Sequence, residues 1–146
     1  MRPNTAYTGP DLCARPARDI VAGLRQGTLD PADLVEASAT RIGQVEPDVN
    51  AVVTTCFDRA RARVADLPDH AARNAALAGW LGGLPVGIKD LNNVAGVRTT
   101  FGNLALKDNV PQTSDALVDM LESRGALVMG KTNTPEFGAG GNSTNP

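Results

Sequence analysis

The sequence predicts an α/β fold in which N-terminal helices are followed by part of a mixed β-sheet covered by helices. Residues 16–78 have mostly helical patterns, whereas most of the 15 glycines lie at or after Gly79 and separate short strand-like runs. Residues 126–129 form an uninterrupted apolar run after a helical segment. Such a run is typical of a parallel strand covered on both faces, so we expect a strand–helix–strand unit in the second half of the chain.

Clear signals bound the first two helices. Apolar residues recur at helical spacing from residue 17 to 24, and Gly27 suits the position that follows a helix. Asp30 is expected to cap the free amides of the second helix, with Pro31 at its first position. Because proline lacks the backbone N–H that a helix interior uses, Pro47 is predicted to end this helix.

The remaining elements follow from residue type. β-Branched residues favour strands, whereas alanine-rich and amphipathic runs favour helices. In chain order the predicted elements are a strand at 50–55, a basic helix at 58–67, an alanine-rich helix at 69–78, a strand at 86–91, a helix at 114–125 and a buried strand at 126–129. Ser114 is expected to cap the last helix and Gly125 to end it, with Leu117, Val118 and Leu121 on its buried side.

Composition excludes several classes of function. The 146 residues suit one domain, and a net charge of −2 offers no basic surface for nucleic acid. No run approaches the roughly 20 apolar residues that span a bilayer, so we expect a cytoplasmic protein without a membrane or nucleic-acid partner. The single histidine, His70, and the distant Cys13 and Cys56 form no zinc or redox motif. No metal or cofactor is therefore expected.

Two short patterns are rejected on context. Residues 125–132 satisfy the phosphate-loop pattern, but such a loop must follow a strand and open a helix, and here a helix comes first and a strand-like run follows. Ser143 partly resembles a nucleophile elbow, but the second glycine of that pattern is missing. His70 follows Asp69 on a helix expected to be exposed, which favours a solvated histidine over a catalytic one.

Lys89 is the most informative single residue. It lies in an apolar strand, and Gly87, two positions earlier on the same face, leaves space above the sheet. A lysine in this position is either a charged residue that protects an exposed sheet edge or a buried amine. Because burial disfavours the charged form, a buried lysine can serve as a general base near neutral pH.

Four segments carry a resemblance to a known family: 83–90, 94–102, 125–137 and 142–146. In this order and at this spacing they are similar to the amidase signature family. The helical part agrees in layout from about residue 15. We therefore expect residues 1–14 to be an extension without resemblance, and residues 15–146 to be the N-terminal part of an amidase signature domain, truncated before the serine-rich signature of the family.

The resemblance implies amide hydrolysis by a Ser-Ser-Lys triad through an acyl-enzyme. Lys89 matches the catalytic lysine of the family, which takes a proton through a relay serine, in a cis peptide bond, from the serine that attacks the amide. Neither serine is expected in this chain, so Ser123 and Ser143 are not assigned, and the isolated chain is expected to be inactive. Lys131, at the end of the buried strand, is interpreted as structural.

The resemblance also suggests residues near the substrate. Thr134, Gly141 and Asn142 are predicted to line the pocket, and Thr134 stands where many relatives have methionine. The expected partners are a small-molecule amide and the remainder of the domain or a complementing chain, which would cover the strand at 126–129. Two other functions stay open. One is the amidase component of a glutamine-dependent tRNA amidotransferase, and the other is a non-catalytic fragment that acts through interaction.

Overall fold

The structure, a computed structural model, describes residues 9–69, 72, 79–141 and 143. This part of the chain forms four α-helices, which are α1 (Ala17–Gln26), α2 (Pro31–Val49), α3 (Phe57–Val64) and α4 (Ala116–Ser123). It also forms three strands, which are β1 (Val52–Thr55), β2 (Pro85–Lys89) and β3 (Leu127–Thr132). The alanine-rich helix predicted at 69–78 lies largely outside the described residues, and His70 lies wholly outside them.

The three strands form one mixed sheet in the order β1-β3-β2. The central strand β3 runs parallel to β2 and antiparallel to β1. Since α4 lies between β2 and β3 in the sequence, β2, α4 and β3 form the predicted strand–helix–strand unit. The fold class predicted from the sequence is therefore confirmed.

The chain itself covers both faces of β3. On one face, Leu127 and Met129 pack with Val35 of α2 and Ala60 of α3. On the other face, Val128 joins a cluster of buried residues made of Ile88, Val94, Val97 and Val118. The apolar run thus marks a fully covered strand, as expected. The expectation that a missing part supplies this cover is wrong, because α2, α3 and the segment after β2 already fold over it.

A β-bulge separates the two halves of the β2–β3 pairing. Val86 pairs with Val128, whereas the next residue, Gly87, pairs with Gly130, so β3 carries one extra residue, Met129. An extra residue resets the alternation of side chains between the two faces. Lys131, which pairs with Ile88, is consequently on the same face as Val128 although three positions separate them.

The start of α2 agrees with the sequence prediction, but its end does not. Asp30 accepts a hydrogen bond from the Ala32 amide at 2.8 Å, and Pro31 is the first helical residue. The helix continues through Pro47 to Val49, so the prediction that Pro47 ends it is wrong. A proline this close to the end removes one backbone bond of the last turns, and the Asn50 amide still bonds to the Glu46 carbonyl at 3.0 Å.

Two expectations about α4 are also wrong. Its N-cap position is held by Asp115, and Ser114 instead accepts a hydrogen bond from the Ala95 amide at 2.9 Å. Leu117 is half exposed, whereas Val118 is fully buried. The helix therefore turns a narrower apolar face to the sheet than its composition indicates. Gly125 follows its last turn with a φ of 82°, a conformation that glycine adopts without strain.

Candidate active site

Three of the four family-like segments meet at one end of the sheet. Residues 83–90 form β2 and the turn before it, 94–102 form a loop after β2, and 125–137 form β3 and the segment after it. Backbone bonds join them, from Asp90 to Thr132 at 2.9 Å and from Phe137 to Phe101 at 2.7 Å. Within the fourth segment the structure describes only Ser143, which is exposed.

Lys89 is the last residue of β2, and its side chain is exposed. Because β2 pairs only with β3 among the described strands, Lys89 lies on an edge strand of this part of the sheet. Its carbonyl accepts a bond from the Asn92 amide at 3.0 Å, which closes the turn after the strand. Gly87 is exposed too, and a Cβ there would come within 2.8 Å of the Thr132 methyl group. The Thr132 methyl group therefore occupies part of the space that the sequence predicts above Gly87.

Asp90 follows Lys89 but faces the protein interior. Its side chain is 1% exposed. One carboxylate oxygen accepts bonds from the Thr100 amide at 3.0 Å and from the Thr100 hydroxyl at 2.6 Å. Consecutive residues of a strand point to opposite faces, so the buried Asp90 requires that Lys89 project on the other side of the sheet.

Lys131 is fully buried beside Asp90. Its Nζ donates to Asp90 Oδ1 at 3.0 Å and to Thr99 Oγ1 at 2.7 Å. Burial lowers the pKa of Lys131 below its usual value, and the hydrogen bond to Asp90 opposes this effect. A substrate in solution cannot reach an amine that is enclosed in this way. The position of Lys131 therefore agrees with its interpretation as a structural residue.

Sequence reasoning did not identify this buried cluster of Asp90, Thr99, Thr100 and Lys131. Two signals were available. Asp90 lies two residues after Ile88 and therefore on the buried face of β2, and Lys131 continues a strand whose earlier residues are all apolar. A charged residue on a buried strand face requires a partner of opposite charge.

The predicted pocket-lining residues have different environments. Thr134 is fully buried, and its carbonyl packs against Gly102, where a Cβ would come within 2.8 Å. Gly141 is exposed, and Asn142 lies outside the described residues. Ser123 donates its hydroxyl to the Met120 carbonyl at the end of α4. Of the predicted lining residues that the structure describes, Thr134 is therefore enclosed and Gly141 lies at the surface.

A cavity of about 320 Å³ lies between α2 and the strands, and Gly87 is among its lining residues. Ser38 and Ile42 of α2 line one wall, and Val52 and Thr132 line another. Among the residues that the structure describes, no group of three or more His, Cys, Asp or Glu side chains could hold a metal. No described helix is both long enough and apolar enough to cross a membrane.

Helix α4 precedes Gly125, and β3 follows it. This order is opposite to that of a phosphate loop, which opens a helix after a strand. The order of elements for which the phosphate-loop pattern at residues 125–132 was rejected is therefore confirmed.

Comparison with known proteins gives consistent matches over most of the chain. The amidase family model matches residues 33–146. The chain is 36% identical over 135 residues to a glutamyl-tRNA(Gln) amidotransferase subunit from Anaeromyxobacter dehalogenans (strain 2CP-C), and the match covers 92% of this chain and 27% of that protein. It is also 36% identical over 129 residues to an acylamidase of Rhodococcus erythropolis, and this match covers 88% of this chain and 27% of the relative.

Solved structures agree with these matches. A bacterial aryl acylamidase of the amidase signature family superposes with a TM-score of 0.73 at 29% identity, over 84% of this chain and 26% of that one. The chain thus spans about a quarter of the length of the relatives that it matches.

Proposed function

The chain belongs to the amidase family, and on this basis we propose that it forms the part of an amide hydrolase that carries the general base, Lys89. The observation that carries the proposal is the position of Lys89 within the matched region. It is exposed at the end of β2, on the same face of the sheet as Gly87, which lines the cavity beside α2. A reacting group and a substrate can approach an amine in this position.

The environments of the two lysines support the choice of Lys89 over Lys131. Lys131 already donates to Asp90 and Thr99 and is fully enclosed. Lys89 is exposed at the end of its strand. A general base needs hydrogen-bond access to the proton that it removes, and of these two lysines only Lys89 has that access.

The chemistry assigned to Lys89 is proton transfer. As a neutral amine, Lys89 accepts, through a relay hydroxyl, the proton of a serine that attacks the amide carbonyl. The proton is then returned to the nitrogen of the substrate, which leaves as an amine, and water hydrolyses the acyl-enzyme. We assign neither serine to a residue of this chain.

Substitution of Lys89 in the complete enzyme tests the proposal. We expect Lys89→Ala to lower kcat for a simple aryl amide by about 100-fold or more, because a positioned base contributes on the order of 10²–10⁴. Lys89→Arg should be equally impaired, since a guanidinium does not release its proton. Lys107→Ala, at an exposed lysine outside this strand, is the matched control and should be fully active. Activity of Lys89→Ala within threefold of the unaltered enzyme would refute the assignment.

A second function is favoured by one comparison. The protein from Anaeromyxobacter dehalogenans is named as part of an amidotransferase, and it is as similar to this chain as the acylamidase is. We therefore also propose glutamine as an alternative substrate, with ammonia passed to a partner chain. Ammonia release from glutamine, compared with hydrolysis of an aryl amide, separates the two functions, as does copurification of a second polypeptide.

We also propose that the protein is cytoplasmic, as expected from the sequence, and cell fractionation tests this location.

A further inference from the structure

We propose that Lys131 is a positioning residue for Lys89 and acts through Asp90. The inference rests on the proposed function, since it assigns a role relative to the general base. Lys131 lies on the face of the sheet opposite to that of Lys89. It binds the residue that follows Lys89 in the strand, on the opposite face.

The contacts of Asp90 fix the end of β2 in three directions. Its amide donates to the Thr132 carbonyl of β3 at 2.9 Å. Oδ1 accepts from Lys131, and Oδ2 accepts from the amide and hydroxyl of Thr100. The backbone at this point is therefore held by the neighbouring strand, by a buried ammonium and by the loop of residues 94–102.

Fixing Asp90 also fixes the direction of Lys89. The two residues are consecutive in extended backbone, so a rotation of the strand about its axis moves both side chains together. Lys89 pairs with Thr132 and Ile88 pairs with Lys131, which places the buried ion pair directly behind the lysine.

A purely stabilising role explains the ion pair less well. Taking two charges out of water costs free energy, and apolar residues of the same volume often give equal or greater stability. Lys131 is completely buried and Asp90 is 1% exposed, so both charges carry this cost. The pair lies immediately behind the residue whose direction matters most for proton transfer. A geometric role accounts for that location.

The test uses the double variant Asp90→Asn/Lys131→Met in the complete enzyme. Both changes nearly conserve volume and remove both charges, so no buried charge is left without a partner. We expect kcat for an aryl amide to fall by about 10- to 100-fold with KM within about threefold, because misplacement of a reacting group lowers the rate of the chemical step rather than substrate binding. An unchanged kcat would overturn the proposal.

Val128→Ala is the matched control. Val128 is fully buried on the same face of β3 but belongs to the apolar cluster and not to the ion pair. We expect it to lower the melting temperature while leaving kcat within about twofold, since a core truncation affects stability. If Val128→Ala lowers kcat as much as the double variant does, general loosening explains both effects and the proposal fails.

If the double variant does not fold, Thr99→Val tests the positioning role instead. It keeps both charges and the volume but removes one acceptor of Lys131. A several-fold lower kcat at unchanged KM supports the proposal, and an unchanged kcat overturns it. Failure of the proposed function is recognised separately, because Lys89→Ala then stays active. If Lys89→Ala is inactive and the Lys131 and Thr99 variants are fully active, only the positioning role is refuted.

Discussion

Lys89 and Lys131 lie on neighbouring strands, and the environment of each decides what its amine can do. Lys89 ends an edge strand and is exposed, whereas Lys131 is enclosed with Asp90. The one-residue bulge in β3 places Lys131 on the buried face next to Ile88. Without that bulge, strict alternation would place Lys131 with Met129 on the face covered by α2 and α3. The environment of the Lys131 amine therefore depends on one extra residue in β3.

The two cysteines differ in the same way, which leads to a prediction about thiol reactivity. Cys13 is exposed, whereas Cys56 is half-buried and donates its thiol to the Val128 carbonyl at 3.2 Å. Burial raises the pKa of the Cys56 thiol above its usual value, with smaller effects from Arg59 and Glu122. A raised pKa means less thiolate at a given pH, and the thiolate is the reacting form.

We therefore expect Cys56 to react with a disulfide reagent at pH 8 at least about 10-fold more slowly than Cys13, and to need a higher pH for half-maximal reactivity. The variants Cys13→Ser and Cys56→Ser each leave one thiol, so single-exponential absorbance traces give each rate. Addition of urea should make the two rates similar. Equal rates for both thiols in the folded chain would contradict the half-buried, hydrogen-bonded environment of Cys56.

At the scale of elements, signals from residues close in the sequence were sufficient for some helix ends. The cap at Asp30 and the stop at Gly27 follow from short-range chemistry, and both were predictable. The end of α2 was not predictable, because the Glu46 side chain accepts bonds from the Ala51 and Val52 amides at 2.6 and 2.7 Å. These contacts extend the ordered backbone past Pro47 and lead directly into β1.

Substitution of Gly130 tests how tightly β1 and β3 pack against each other at the bulge. A Cβ at Gly130 would meet the Thr54 carbonyl oxygen and would come within 2.8 Å of a Val52 methyl group. We expect Gly130→Ala to lower the free energy of unfolding by about 2 kcal/mol or more, since the contacted carbonyl belongs to backbone that cannot move aside cheaply. Urea unfolding followed by circular dichroism measures the change.

Gly43, in α2, is a control position at which we expect alanine to have the opposite effect on stability. A Cβ there meets nothing within 4 Å, and the position is helical. Gly43→Ala should raise the free energy of unfolding by about 0.5–1 kcal/mol, because alanine loses less backbone entropy in a helix than glycine does. A Gly130→Ala variant as stable as the unaltered chain would show that β1 can separate from β3 at little cost.

At the scale of the molecule, the sequence was sufficient for the fold class and for the family to which the chain belongs. Its apolar periodicity and the order of its segments carry that information. The ion pair was not predicted, because Lys131 and Asp90 are 41 positions apart and meet only through the register of β2 against β3. The role of Lys89 stays a prediction, because it depends on atoms that lie outside the described chain.

One contact between distant parts of the chain is expected to hold together α3 and α4, which pack on opposite faces of β3. Arg59 of α3 binds Glu122 of α4 with two hydrogen bonds of 2.5 and 3.0 Å, and the Glu122 side chain is 9% exposed. The bonds to this carboxylate raise the pKa of Arg59 above its usual value. We expect Glu122→Gln to lower the free energy of unfolding by about 1.5–3 kcal/mol, since a charge-assisted pair with little solvent access is lost.

Glu36 provides the matched comparison, because it makes the same two-bond pair with Arg61 on the surface. Its side chain is 57% exposed, so water replaces the lost bonds and salt screens the charges. Glu36→Gln should therefore leave the urea midpoint almost unchanged, whereas Glu122→Gln should shift it to lower urea at both low and high salt. Equal shifts for the two variants would mean that solvent reaches the Arg59–Glu122 pair as freely as it reaches the surface pair, and that the contact between α3 and α4 does not hold the two halves of the chain together.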